Sequence, residues 1–171
     1  VYRIKEPLID TVALKQNLHI NKPDVSAFTF KYADGPRDAE ILMIDSTTKD
    51  LFIVTKRETH VQIYMLPYPQ SETDTLILKK TSVTLPFRMT NGGDISADGT
   101  EILIKNLTTV YYWKRKRNET ILETLARPAI KLPYIQEPQG ESIAWRRDGA
   151  GYLTVSEEKN NVIPVLYYYK R

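Results

Sequence analysis

Apolar and polar positions alternate with a period of two along most of the chain, in short runs rich in Val, Ile, Leu, Tyr and Thr that end at turn residues. The pattern predicts strands at 1–5, 27–32, 39–45, 51–57, 61–66, 75–85, 94–96, 101–107, 110–114, 129–132, 141–146, 151–155 and 164–170, an all-β fold. Asp98-Gly99 and Asp148-Gly149 signal tight hairpins, whose turns need residues tolerant of positive φ, and residues 47–50 read as a longer connection of that kind. Only residues 119–125 (ETILETL) have helix-favouring composition, enough for a turn or two.

The strands fall into a repeat. "RDAEILMIDSTTKDLFIVTKR", "NGGDISADGTEILIKNL" and "QGESIAWRRDGAGYLTVSEE" share one plan: small residue, acid, apolar strand, turn, second apolar strand, charged end. Their acids, Glu40, Asp94 and Glu141, lie 54 and 47 residues apart. That is close to the roughly 40–50 residues of a four-stranded propeller blade. Each unit continues into an aromatic-rich third strand, and the first two into a fourth. The expected architecture is therefore a β-propeller domain over residues 1–171, with a two-strand remnant at 1–33 and blades at about 38–85, 92–133 and 139–171. About three to four blades fall short of a usual ring of roughly four to eight and leave two open sheet edges. The missing strands would come from the remainder of a longer chain, which is the preferred reading, or from another subunit; an open stack is the third possibility.

Composition narrows the chemistry. The 171 residues are 42% hydrophobic and 26% charged, as in a soluble globular domain, and no apolar run is long enough to predict a membrane span. A net charge of +3 is too mild to predict a nucleic-acid partner. With no cysteine, disulfides, thiolate zinc sites and thiol nucleophiles are excluded.

The three repeat stretches resemble successive blades of an uncharacterised family of secreted or surface β-propellers, distantly similar to phytase-like and NHL-type propellers. The resemblance runs over most of the chain from Val1. It implies an extracellular or surface location. In such relatives an acidic "WEDIA"-like stretch and a "GDIGDN"-like strand end precede the equivalent of "VYRIKEP"; both are missing here, so the resemblance implies the C-terminal portion of a larger propeller. Phytase-like relatives bind calcium with acids at blade starts, and the matching positions are Glu40, Asp94 and Glu141.

Carboxylates converging from several blades repel one another and need a cation, basic partners or raised pKa values. Calcium suits such a ring because it accepts oxygens in loose geometry. Lys56, Lys105 and Glu157 end the second strands at what read as equivalent places, so two lysines could neutralise the acids without metal. The other reading has each acid accept backbone N–H bonds at a blade junction. Asp10 and Asp38 read as turn acids. His19 and His60 lack the spacing of a zinc helix and read as surface or turn residues. No nucleophile elbow or phosphate loop appears, and neither Ser142 nor Ser156 has a motif that brings a histidine near. Gly92-Gly93 reads as a sharp turn beside the axis.

Lys114, Arg115, Lys116 and Arg117, with Lys131, read as a solvated connection, and the clusters Tyr111, Tyr112, Trp113 and Tyr167, Tyr168, Tyr169 as packing between blades. Asn106 and Asn118 head glycosylation triplets, of which only Asn118 falls on an expected loop. The function expected is a non-enzymatic binding or assembly module. The alternative is a phytase-like calcium-dependent phosphoester hydrolase, with Lys56 and Lys105 contacting phosphate.

Overall fold

The computed structural model describes residues 1–7 and 20–171, so Asp10 and His19 lie outside the described residues. The chain is all-β, with one short α-helix and a 3-10 turn at Lys22–Asp24 among the described residues. Strands β1 (Tyr2–Ile4) and β2 (Val25–Ala27) form an antiparallel pair. Next come β3 (Phe30–Tyr32), β4 (Ala39–Ile44), β5 (Leu51–Thr55), β6 (Val61–Leu66) and β7 (Leu76–Leu85). They make a first sheet ordered β3-β7-β6-β5-β4, antiparallel throughout except that β3 runs parallel to β7.

A second sheet is a plain meander of β8 (Thr90–Ile95), β9 (Glu101–Asn106), β10 (Val110–Lys114) and β11 (Ile130–Leu132). The third contains β12 (Gly140–Trp145), β13 (Gly151–Ser156) and β14 (Tyr167–Lys170). Helix α1 (Ile121–Leu125) sits where ETILETL predicts it, between β10 and β11. Thr120 and Glu123 form a reciprocal capping box, which satisfies first-turn N–H groups that so short a helix cannot satisfy itself.

Two elements differ from the sequence expectation. Residues 27–32 do not make one strand: the chain leaves β2 at Phe28 and re-enters as β3, which joins the first sheet instead of the β1–β2 pair. The segment expected at 94–96 is longer and earlier, because β8 starts at Thr90 and takes Gly92-Gly93 inside the strand. The glycines therefore make no turn.

Their role is close approach. First strands of successive sheets pack side by side, β4 on β8 and β8 on β12. A Cβ on Gly93 would lie 2.7 Å from Ile41 Cγ2, and one on Gly92 would lie 3.1 Å from Ile143 Cγ2. Glycine inside a strand is disfavoured on its own, and here it admits a neighbouring strand on each face. Cores form on both sides of these junctions. Ile41, Met43, Phe52, Val54, Ile63, Ile102, Ile104 and Trp113 fill the space between the first two sheets, and Leu103, Val110, Ile143 and Tyr152 that between the second and third. The second strands are covered on both faces, so β5 and β9 read as continuous apolar runs and not as alternating ones.

The hairpins share a register irregularity that fixes the true repeat. Each first strand carries a bulge, with Glu40, Asn91 and Glu141 as the extra residues. These positions are 51 and 50 residues apart, more even than the spacing of the acids. Lys56 and Glu157 are equivalent, each donating its backbone N–H across the hairpin mouth, to Asp38 and Gln139 respectively. Lys105 is not their equivalent; its register partner is Gly92, which matches it to Val54 and Val155.

Gly93→Ala is expected to cost about 1–3 kcal/mol by overpacking. The cost should shrink in an Ile41→Ala background, and a double-mutant cycle of denaturant midpoints measures that coupling. Additive effects would show that the two strands do not meet here.

Candidate functional site

The strongest concentration of buried polar groups joins the second and third sheets around Lys105. This lysine closes the apolar run EILIK on β9, where both faces are covered, and its side chain has no solvent exposure. Its Nζ donates to the Gly140 carbonyl and, at 3.3 Å, to Asn91 Oδ1. It also lies 4.9 Å from the centre of the Tyr134 ring. Asn91 completes the joint by donating Nδ2 to the same Gly140 carbonyl at 2.7 Å. Glu137, also buried, accepts from Thr154 Oγ1 at 2.6 Å and from Tyr134 Oη at 3.3 Å.

Gly140 is where these groups converge. A Cβ there would strike Glu137, the Tyr134 hydroxyl and Lys105 Nζ. Burial pushes the Lys105 ammonium down to about 8, against the fields of Glu137 and Glu141, which hold it up. Burial likewise raises the Tyr134 phenol to about 12, a rise that the Glu137 backbone opposes and the Glu137 carboxylate supports. A lysine with a lowered pKa is a nucleophile only where a substrate can reach it. Lys105 is sealed, and its protons are directed at a carbonyl and an amide; the arrangement bolts two sheets together.

The expected acids do not converge. Glu40 is engaged by Lys56 at 2.5 Å within the first sheet. Asp94 accepts from its neighbour Ile95 N at 2.9 Å and reaches the third sheet through Trp145 N at 2.7 Å. Burial raises its pKa in spite of those two bonds. Glu141 contributes its charge near Lys105. Among the described residues no three His, Asp or Glu side chains gather closely enough to hold a metal ion. Glu40, Asp94 and Glu141 therefore do not gather as one calcium ligand set; Lys56 is engaged by Glu40, and Lys105 is buried against the Gly140 carbonyl. Asp94 instead does what the junction reading expects of an acid, and Lys56 neutralises Glu40.

Other charges tie the sheets at further points. Asp45, at the end of β4, accepts from Thr47 N at 2.9 Å and from Arg115 Nη1 at 3.1 Å. Burial raises its pKa, but those bonds outweigh the burial and hold the carboxyl below its usual range. Glu101 is buried beneath Arg171, which clasps both of its oxygens, while Tyr112 Oη donates at 2.5 Å. Thus Arg115, from the expected solvated run, is partly a junction residue, whereas Lys116 and Arg117 are exposed.

Tyr111 stacks on Phe87 at 3.8 Å against the core between the first two sheets, as expected of its cluster. Tyr169 instead stacks at 4.7 Å on Tyr152, its partner on the adjacent strand of the same sheet, and Tyr168 is exposed. His60 lies exposed in the turn after β5, Glu157 is exposed and accepts from Gln139 at 2.6 Å, and Asn118 is exposed with φ of 64°. Asn106 holds its own turn through Thr108 and Thr109. Sequence reading missed Asn91, Tyr134 and Glu137. The one signal for the joint was a lysine at the end of an otherwise apolar run.

Because Lys105 releases its proton more easily when folded than at its unperturbed value of 10.5, the unfolded state holds more protons between the two values. Stability should therefore rise with pH from about 8 to about 10, above which unfolded tyrosines begin to ionise and oppose it. Lys105→Met should flatten that rise, as read from denaturation midpoints across the window. Asp94→Ala should cost about 1–3 kcal/mol by stranding the Trp145 N–H. Calcium should leave the melting temperature unchanged; a rise would show a metal site that Glu40, Asp94 and Glu141 do not make together. No protein-family model matches the chain, and no curated protein matches it.

Proposed function

We propose that this chain is part of an extracellular or surface β-propeller acting as a non-enzymatic binding and assembly module, whose open sheet edges pair with the remainder of a longer chain or with another subunit. The observation that carries this reading is the side-by-side packing of β4, β8 and β12, first strands of consecutive hairpins, through Gly92 and Gly93. Propeller blades pack their inner strands in this way around an axis. The even spacing of the bulges supports one repeated unit.

Support for assembly comes from both ends of the stack. On β4, Leu42 and Ile44 point away from the second sheet and are 43% and 53% exposed. On β14 the edge opposite β13 has no partner among the described residues. Unpaired strand edges beside exposed apolar side chains are sites for strand addition. An exposed Asn118 in its glycosylation triplet is compatible with a secreted location. The phosphoester hydrolase alternative draws no support from Glu40, Asp94 and Glu141, which have other partners or stand apart.

Light scattering and small-angle X-ray scattering test the reading. A defined oligomer, or stability gained only within a longer parent polypeptide, is expected. A compact monomer in which the amides of β1 and β14 resist hydrogen exchange would overturn it.

A further inference from the structure

The groove between β1 and β4 has walls that specify what fills it. It encloses about 550 Å3 and is lined by Tyr2, Ile4, Phe28, Leu42, Ile44 and Tyr68 among others. Tyr2 is 78% exposed, so the groove is open as well as apolar. One wall is a strand edge. Val1 and Phe28 exchange both backbone bonds, at 2.9 and 2.8 Å, which puts the next such pair at Arg3 and Ser26. By antiparallel alternation the N–H and C=O of Tyr2 and Ile4 face the other edge, where no strand among the described residues pairs with them.

We infer that this groove is a docking site for a β-hairpin of the same kind as β8–β9, whose second strand pairs antiparallel with β1 while its first strand packs on Leu42 and Ile44. The inference rests on the assembly reading above and names the partner for one of its edges. The second sheet supplies the template. There β10 lies between β9 and β11, and β1 stands to β2 as β10 stands to β11. Among the described residues no strand takes the place of β9 beside β1.

Register specifies the hairpin further. Leu42, Gly93 and Ile143 occupy equivalent positions, as do Ile41, Gly92 and Ser142. At each observed junction a residue of the second set meets one of the first from the following strand: Ile41 meets Gly93, and Gly92 meets Ile143. One member of each pair is glycine. Leu42 is the unmatched member of the first set and is large, so the incoming strand needs a small residue opposite it.

A second copy of this chain does not meet the requirement. Its β5, β9 and β13 each already have a strand on both edges, leaving none to pair with β1. If its third sheet stacked on β4, its β14 would claim the place that β1 holds. The occupant is therefore a separate hairpin with a free second-strand edge.

The probe is a synthetic peptide of residues 90–106, which carries Gly92 at the critical position, added to the intact protein. Hydrogen exchange followed by NMR should slow at Tyr2 and Ile4. Gly92→Val in the peptide and Ile44→Lys in the protein should each weaken binding at least about tenfold. Ile44 is exposed, so its replacement leaves the fold intact; Leu42→Asp is the second variant. Slowing that ignores both changes would overturn the stacking on Leu42 and Ile44. Slowing only at Tyr168 and Lys170 on β14 would overturn this site while leaving the assembly reading standing. Slowing at Tyr2 and Ile4 that depends on protein concentration and needs no peptide would make a second copy the occupant and overturn the inference. Failure to slow exchange anywhere would do the same, while the assembly reading stands or falls on its own scattering test.

Discussion

The close approach between β8 and its neighbours on either side constrains everything else. Two side chains of ordinary size on β8 would push β4 and β12 away, and the glycines at 92 and 93 remove them on alternate faces. With the first strands in contact, the spaces between sheets fill with aliphatic and aromatic groups. The same approach explains why the second strands are apolar on both faces.

Bringing strands so close also brings polar groups out of water, and the structure answers with bonds that cross between sheets. Thr90 Oγ1 donates to the Thr55 carbonyl at 2.5 Å, Asp94 accepts from Trp145 N, Arg115 reaches Asp45, and Lys105 and Asn91 share the Gly140 carbonyl. Each removes an unsatisfied buried group that would otherwise oppose the packing. Since such bonds are directional, they also fix the angle between neighbouring sheets, which dispersion forces alone leave loose. Charge at the repeat's centre is therefore used for alignment, and the acids are dispersed among separate partners.

Much of this was legible along the chain. Strand positions, the three hairpins and the short capped helix follow from alternation, Asp-Gly turns and local propensity, because those signals act within a few residues. The sites were less so. Asp94 shares its chemistry with Glu40 and Glu141 but not their register, since the bulge in the second hairpin falls at Asn91, three residues earlier. A bulge leaves no mark in an apolar pattern, so matching acid to acid misaligned the repeat. Lys105 fell into the wrong set for the same reason.

The sequence by itself determined the strand content, the repeat of hairpins and the exclusion of thiol chemistry. Those depend on residue type and on spacing within one hairpin. Only the tertiary structure decided that the small residues at 92 and 93 admit neighbouring strands and do not turn the chain, and that β3 joins the first sheet. It also decided that each acid finds a different partner and that one lysine is sealed between two sheets. These outcomes depend on which strand lies across from which, a relation between residues about fifty positions apart that no local pattern carries.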